Sequence, residues 1–404
     1  MPNWGLVLNM TPVPAVELQT RLARFRAHLD AVSPDWELVA LLTKINLYYF
    51  TGTMQEGLLL IPRDGAAEFW VRRSYERAQA ESLFPLLKPM EGFRDAAASR
   101  PKWPRAVHLE TEKAPLAMYQ RMQKYFGFEK VCPVDAACLT VRAVKSPYEL
   151  ERMARAGEIH RRVLEERVPG MLREGMTEAE LSGELYAVLV AEGHHGVARF
   201  AMFDTEMALG FIGFGDSSIY PTFFNGPGGN RGLCAAVPAL GSPRRRLQAG
   251  DLIFIDVGCG GEGYHTDKTV TYLFGGPSPA EARAAQARCV DLEHQIAALL
   301  KPGAIPSQIY QTILGGLDAE FQQNFMGFGS RRVKFLGHGI GLVVDEWPVS
   351  AEGFDEPLQA GMTLAIEPKK GLAGIGMVGI EDTFVVTAEG GRSLTGNNPG
   401  LIAV

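Results

Sequence analysis

The sequence predicts a mixed α/β (α+β) protein of two domains, and three observations support this. A chain of 404 residues is longer than one ordinary hydrophobic core supports. Helical and strand-like segments alternate over positions 1–140. From position 146 onward, capped helices are followed by paired apolar runs that carry acidic residues. We therefore expect an N-terminal α/β domain at 1–140 and a C-terminal domain at 146–404.

The N-terminal domain is predicted from periodicity. Leu18, Leu22, Phe25 and Leu29 recur at helical spacing and indicate an amphipathic helix. Short runs of apolar residues bounded by turn residues indicate strands. Four such strands are predicted at 37–42, 57–62, 68–71 and 106–109, with helical segments between them.

Helix starts in the C-terminal domain are predicted from capping boxes, in which Ser or Thr precedes Glu by three residues. The pairs are Ser146 with Glu149, Thr177 with Glu180, and Ser278 with Glu281. Pro at the first helical position strengthens the first of them. Each helix is followed by strand-like segments that end in acidic residues. Because a helix followed by a hairpin occurs twice, we expect the C-terminal domain to consist of two similar halves.

The first predicted hairpin carries two aspartates. Asp256 lies in the apolar run 252–258, and Asp267 lies on the returning run 264–272. A tight turn centred on Gly261 and Glu262 places Asp256 directly opposite Asp267. Cross-strand partners have Cβ atoms roughly 5 Å apart, so we expect both carboxylates to reach the same ligand.

The second predicted hairpin carries two glutamates. Glu367 ends the apolar run 362–366, and Glu381 precedes the run 382–386, with glycines between them to form the turn. We expect the two glutamates to oppose each other. His338 stands between glycines at 337 and 339, where a ligand can approach the backbone closely.

These five residues predict a metal centre when they are taken together. Singly, each is more typical of a turn, a cap or a hydrogen-bonded core position. Jointly, four buried and unpaired carboxylates would cost several kcal/mol each, and metal ions remove that cost. Oxygen and imidazole ligands suit Mn, Co, Fe or Zn without choosing among them. We expect two divalent ions, with Mn favoured, held by Asp256, Asp267, His338, Glu367 and Glu381.

The same segments resemble a known family. The stretches 254–258, 263–267, 337–341, 366–368 and 379–383 are similar to those of the pita-bread metallopeptidases, in the branch that contains Xaa-Pro dipeptidase (prolidase), aminopeptidase P and creatinase. All five metal-ligand positions match in order and type. The resemblance spans nearly the whole chain, because 46–52 and 142–146 resemble segments of the prolidase and creatinase branch.

The resemblance implies a fold and a reaction. The fold would be a small creatinase-like α/β domain followed by a pita-bread domain, with an antiparallel sheet and pseudo-twofold halves. Two metals roughly 3.5–4 Å apart lower the pKa of a shared water towards neutrality. By resemblance, Glu367 would pass the proton of that water to the leaving nitrogen. The family also implies a homodimer and a short-peptide substrate.

Several positions depart from the family pattern. Thr222 and Asp345 hold places where peptidase members carry histidines that donate hydrogen bonds to the substrate. An ionised Asp cannot donate, so Asp345 would bind a cationic group or act as a base. His265 lies on the same strand face as Asp267 and is a candidate replacement donor. Thr222, His265 and Asp345 are therefore the predicted substrate-binding residues.

Gly379 and Val270 are two further departures, because both stand where relatives often carry Arg. The substitutions leave two function classes open. The first is a metallohydrolase of the Xaa-Pro dipeptidase type, with Glu367 and Asp345 at the catalytic centre. The second is a non-peptidase relative, either a creatinase-like amidinohydrolase or a lyase of the dimethylsulfoniopropionate type with Asp345 as base. A metal-free binding module is disfavoured because all five ligands are retained.

The composition of the chain limits which partners and which cellular compartment are expected. A net charge of −6 indicates neither nucleic acid nor an anionic membrane as partner. No apolar run is long enough to span a bilayer. Met1–Gly5 lacks the pattern of a signal peptide. The five cysteines are odd in number and scattered, as expected for reduced thiols in a cytoplasm.

Overall fold

The computed structural model describes residues 11–397 and 400–404, so the start of the chain that was examined for a signal lies outside the described residues. The chain divides into two compact units, Met1–Arg142 and Ala143–Val404. No helix in the described ranges is long and apolar enough to cross a membrane.

The N-terminal unit is built around a sheet in the order β4-β3-β2-β1-β5-β6. Its strands are β1 (Leu38–Leu41), β2 (Gly57–Pro62), β3 (Glu68–Val71), β4 (Leu87–Pro89), β5 (Ala106–Leu109) and β6 (Lys130–Pro133). Its helices are α1 (Ala15–Val32), α2 (Lys44–Thr51), α3 (Tyr75–Glu81), α4 (Phe93–Ala97), α5 (Leu116–Phe126) and α6 (Asp135–Ala143). The predicted helix and strands of this unit are confirmed, with β1 shorter than expected at both ends.

The C-terminal unit begins with two helices and an antiparallel group of strands. They are α7 (Pro147–Arg161), α8 (Glu178–Glu192), β7 (Gly210–Phe214), β8 (Leu252–Gly261) and β9 (Tyr264–Leu273). A sheet forms in the order β19-β9-β8-β7, in which β19 (Ile402–Ala403) joins β9 in parallel. Apolar side chains of α8 pack on this sheet, with Leu181, Leu185 and Leu189 in one cluster with Ile253 and Ile255.

The second half repeats helices before antiparallel strands. The helices are α9 (Ala280–Leu299), α10 (Pro306–Gly315) and α11 (Ala319–Gln322). The strands are β10 (Gly327–Phe328), β11 (Arg331–Arg332), β12 (Phe335–Gly339), β13 (Glu346–Ala351), β14 (Thr363–Ile366), β15 (Lys369–Leu372), β16 (Gly376–Gly379), β17 (Asp382–Thr387) and β18 (Gly390–Ser393). The main sheet has the order β13-β12-β14-β17-β18, while β10-β11 and β15-β16 form separate hairpins.

Two of the three predicted capping boxes are confirmed. Ser146 accepts a hydrogen bond from the Glu149 amide at 3.2 Å, and an equivalent box opens α8. The third prediction is wrong, because α9 begins at Ala280 with Pro279 as its N-cap and no side-chain cap. Pro279 has an extended ψ of 136°, so Ser278 stands one residue too early to cap the helix.

The first hairpin confirms the predicted strands but not the predicted pairing. Its turn is formed by Glu262 and Gly263, which both have positive φ, and the strands flank this two-residue turn directly. Asp256 therefore pairs with Thr269, and the prediction that it opposes Asp267 is wrong by two residues. Because the shift is even, both aspartates still project from the same face of the sheet.

Glu367 and Glu381 lie between two antiparallel strand pairs, β14–β17 and β15–β16, whose residue pairing continues in the same register. Ile366 pairs with Asp382 where β14 meets β17, and the β15–β16 hairpin continues the same register. Glu367 and Glu381 are the next pair in that register, at the junction. The Glu381 amide and carbonyl bond to the backbone of Thr269 on β9, which joins the two halves of the unit at the acids.

Candidate metal centre

The five predicted ligand residues converge in the C-terminal unit. Asp256 and Asp267 come from β8 and β9, His338 from β12, and Glu367 and Glu381 from the ends of β14 and β17. Their ligand atoms form two sets, each within 4.8 Å of one another. We name Asp267, His338 and Glu381 the histidine triad, and Asp256, Glu367 and Glu381 the acidic triad. Glu381 belongs to both.

The histidine triad fits a divalent cation. His338 Nδ1 lies 3.1 Å from the Gly339 carbonyl oxygen, and donation there leaves Nε2 as the free lone pair. Nε2 faces Glu381 Oε1 at 3.8 Å and Glu367 Oε1 at 3.7 Å. Glu381 Oε1 is buried and has no hydrogen-bond partner among the described residues. A cation between these atoms would satisfy both the orphaned oxygen and the imidazole.

The acidic triad surrounds a lysine. Lys369 Nζ donates to Asp256 Oδ2 at 2.9 Å, to Glu367 Oε2 at 2.8 Å and to Glu381 Oε2 at 2.6 Å. The Lys369 side chain is 0% exposed. Its ammonium lies 5.7 Å from the centre of the Phe254 ring, within the range of a cation–π contact.

Neighbouring groups fix the orientation of the acids. Thr269 Oγ1 donates to Glu381 Oε2 at 2.9 Å. The Asp267 amide donates to Thr383 Oγ1 at 2.9 Å, and the Thr383 hydroxyl donates back to the Asp267 carbonyl at 3.0 Å. These bonds hold the strands that carry the acids, so that the carboxylates are positioned before any ligand arrives.

The electrostatics of the cluster follow from burial and crowding. Burial raises the pKa of Asp267 and of Glu381 well above the ordinary range, and the neighbouring carboxylates raise both further. Burial works to lower the pKa of Lys369. The three carboxylates of the acidic triad outweigh it, and that pKa lies well above its usual value. The three carboxylates therefore hold Lys369 in its charged ammonium form.

Asp345 lies in the turn between β12 and β13, beside the histidine triad. Its Oδ1 is 3.9 Å from His338 Nδ1. Its Oδ2 is buried without a hydrogen-bond partner among the described residues. Burial raises the pKa of Asp345, although His338 opposes the rise. The next residue, Glu346, points elsewhere and pairs with Lys145 at 3.4 Å.

The two other predicted substrate residues have different surroundings. Thr222 is partly buried in the segment between β7 and β8, where its Oγ1 accepts a bond from the Phe224 amide at 3.3 Å. His265 is fully buried. Its Nδ1 lies 3.2 Å from the Gly341 carbonyl, and its Nε2 accepts from the Arg199 amide at 3.3 Å. Both ring nitrogens of His265 are engaged, which leaves it no free donor for a substrate. Substrate binding by Thr222 stays a prediction.

Lys369 is the site residue that the sequence interpretation missed. The available signal was its position two residues after Glu367, because strand alternation puts side chains two apart on one face. A lysine is not an expected metal ligand, so its presence in the same segment does not by itself mark it as part of the site.

Comparison with known proteins agrees with this geometry. Residues 151–388 match the model of metallopeptidase family M24, and residues 21–144 match the model of the creatinase/prolidase N-terminal domain. The Xaa-Pro dipeptidase of Pyrococcus horikoshii is 27% identical over 380 residues, which cover 93% of this chain and 96% of that protein.

Solved structures share the fold. Dipeptidase PepE from Mycobacterium ulcerans superposes with a TM-score of 0.76 at 24% identity, covering 98% of this chain and 100% of that chain. An Xaa-Pro dipeptidase from Bacillus anthracis gives a TM-score of 0.76 at 20% identity, covering 96% and 100%. The predicted fold class, an N-terminal creatinase-like domain followed by a pita-bread domain, is confirmed.

Proposed function

The chain belongs to metallopeptidase family M24, and from this premise we propose that it is a metal-dependent hydrolase of the Xaa-Pro dipeptidase type. Family membership makes it a metallopeptidase. The substrate class is our inference, supported by similarity to the Xaa-Pro dipeptidase of Pyrococcus horikoshii over 93% of the chain.

One observation carries the proposal. Five separated residues of the right types meet in one buried cluster, and one of their oxygens, Glu381 Oε1, is buried without a hydrogen-bond partner among the described residues. A protein does not ordinarily leave a buried carboxylate oxygen unpaired unless something else neutralises it. A divalent ion bound in the histidine triad would neutralise this oxygen.

The chain's own residues have separable roles in the proposed reaction. A divalent ion bound to the histidine triad supplies a Lewis acid that polarises the scissile carbonyl and makes water acidic. Glu367 is the proposed proton carrier from water to the leaving nitrogen. Its Oε2 accepts from Lys369, whereas its Oε1 faces His338 Nε2. The sequence predicted two ions, and both sets of acids are present.

Asp345 is the residue on which the choice of substrate depends. In the peptidase proposal its unpartnered Oδ2 binds the cationic amine of a short peptide. The same oxygen also favours a second candidate, a non-peptidase reaction of the amidinohydrolase or lyase type, in which Asp345 takes a proton from the substrate. Burial raises the pKa of Asp345. A carboxylate with a raised pKa accepts a proton more readily, which suits a general base better than a group that must stay negatively charged.

The test is an assay of Mn²⁺-loaded protein against Xaa-Pro dipeptides, longer peptides, creatine and a sulfonium propionate. For a dipeptidase, we expect hydrolysis of Xaa-Pro dipeptides and its loss in Glu367→Gln, since Gln cannot carry the proton. Asp345→His should preserve or raise that hydrolysis by restoring a donor. Lys370→Met is the matched control, because Lys370 donates to the backbone carbonyls of residues 320, 321 and 323 and not to the acids.

A different pattern identifies the second candidate. If Asp345 is a base, both Asp345→His and Asp345→Asn should lower turnover of the true substrate by roughly 10²–10⁴-fold. Folded, metal-loaded protein that is inert towards every Xaa-Pro peptide would reject the dipeptidase proposal.

Three finer features belong to the same proposal. We favour Mn²⁺, because the triad combines carboxylate oxygens with one imidazole, although this ligand set also suits Co, Fe and Zn. A homodimer follows from the resemblance to prolidases. A cytoplasmic setting is supported by the five cysteines, each of which is a free thiol in the structure.

A further inference from the structure

We propose that this chain binds one divalent ion, in the histidine triad, and that the Lys369 ammonium takes the place of a second ion in the acidic triad. The inference rests on the proposed function in that it takes the histidine triad as a metal site. It departs from the two ions expected from the sequence.

The first argument is the identity of the oxygens. Lys369 Nζ stands 2.6–2.9 Å from one oxygen each of Asp256, Glu367 and Glu381. A metal ion bound by the same oxygens needs metal–oxygen distances of about 2.0–2.2 Å and would stand in the volume that Nζ occupies. The ammonium and a second ion are therefore alternatives at this position.

The second argument comes from the strand opposite Lys369. Gly379 is its cross-strand partner in the β15–β16 hairpin. A Cβ built at Gly379 would lie 2.6 Å from Lys369 Cγ and 2.7 Å from its Cα. A side chain at position 379 would collide with Lys369 Cγ and with the backbone beside it, so the glycine leaves the room that the lysine side chain occupies.

The third argument is the confinement of the ammonium. Lys369 is 0% exposed, with its side chain against the Phe254 ring. Moving Nζ out of the acidic triad would break three charge-assisted hydrogen bonds and would need another partner for a buried cation. Lys370 offers no substitute, because its Nζ is bonded to backbone carbonyls at 320, 321 and 323.

Charge balance agrees with one ion. The cluster holds four carboxylates, from Asp256, Asp267, Glu367 and Glu381, and one lysine. One divalent ion with the ammonium leaves a single net negative charge. Two divalent ions with the ammonium would leave a net positive charge and would place like charges against one another in a buried site.

The experiment measures metal content and not activity. Wild-type protein is stripped with chelator, equilibrated with excess Mn²⁺ and desalted. Mn per chain is then determined by elemental analysis, and the electron paramagnetic resonance spectrum is recorded. We expect about one Mn²⁺ per chain with the hyperfine pattern of an isolated ion. Mn²⁺ ions that share Glu381 would instead be magnetically coupled.

Three variants make the measurement decisive. Lys369→Met keeps the length of the side chain and removes its charge, and it should raise the content to about two Mn²⁺ per chain with a coupled spectrum. Lys370→Met, which removes the neighbouring lysine, should remain at the wild-type value. Asp267→Asn disables the histidine triad and should lower the content to nearly none. It keeps the test valid even if Lys369→Met does not fold.

Each other outcome overturns the inference. Wild-type protein with two coupled ions would show that Lys369 yields its place to metal. One ion in both wild type and Lys369→Met would show that the lysine excludes nothing. Retention of an ion by Asp267→Asn with the affinity of wild type would show that Asp267 is not a ligand, against the assignment of the ion to the histidine triad. Failure of the proposed function is separate, because a protein with one ion and no action on Xaa-Pro peptides would leave this inference standing.

Discussion

Replacing Lys369 with Met should make the stability of the protein depend strongly on metal. Lys369 is fully buried and holds three carboxylates, those of Asp256, Glu367 and Glu381. Removing one partner of a buried ionic cluster costs about 3–5 kcal/mol, because the remaining charges stay buried and uncompensated. The metal-free variant should therefore lose about that much unfolding free energy, equivalent to a melting temperature lower by roughly 4–9 °C for a cooperative unit of this size.

Mn²⁺ should recover much of this loss. If the acidic triad becomes a metal site in the variant, Mn²⁺ at one hundred times the dissociation constant of that site adds about 2.7 kcal/mol. Wild type gains only from the ion in the histidine triad. The stabilisation by Mn²⁺ should thus be larger in Lys369→Met than in wild type, by about the contribution of one further site.

Urea denaturation of chelator-treated protein, with and without Mn²⁺, measures both quantities. Lys370→Met is the matched control, because it also loses buried hydrogen bonds. The increase in its unfolding free energy on addition of Mn²⁺ should equal that of wild type. An equal gain from Mn²⁺ in Lys369→Met and wild type would refute the reasoning, since the acids would then accept no ion when the ammonium is gone.

Two further predictions concern acid stability and assembly. Burial lowers the pKa of His160 well below its ordinary value of 6.5; stability is then fully present above pH 6.5 and falls as pH drops towards the folded-state pKa, by up to about 1.4 kcal/mol per pH unit. Urea denaturation at pH 7 and pH 5 should show this loss, and His160→Asn should reduce it; an unchanged slope would contradict the assignment. Light scattering should give twice the chain mass of 44.1 kDa, and a monomer mass at micromolar concentration would reject the homodimer.

The sequence predicted the ligand set because strand patterns are local. Asp256 and Asp267 stand on apolar runs whose alternation assigns them to one face, and alternation survives an even error of register. The pairing itself was wrong because it depends on which residues form the turn. Glu262 adopts a positive φ of 49°, which a non-glycine residue seldom does, so the turn was placed one residue too early.

The starts of the helices also show that a local sequence motif does not always determine the local structure. Ser146 and Ser278 both precede Pro and stand three residues before Glu, yet only Ser146 caps its helix. Pro147 has entered the helix as its first residue, whereas Pro279 remains extended outside it. The motif residues are identical at these positions, so the motif alone does not decide which residue caps the helix.

The sequence predicts two ions because four carboxylates and one imidazole converge, and Lys369 adds a group that this pattern does not include. A ligand set defines which oxygens converge, but the occupant depends on every other group that reaches the same volume. Lys369 reaches it because Gly379 leaves the opposite strand without a side chain. Neither residue is a ligand, and neither is informative alone. The charge that a second metal would supply can thus be encoded in the chain, by one lysine and one glycine across a hairpin, while each metal-binding motif remains intact.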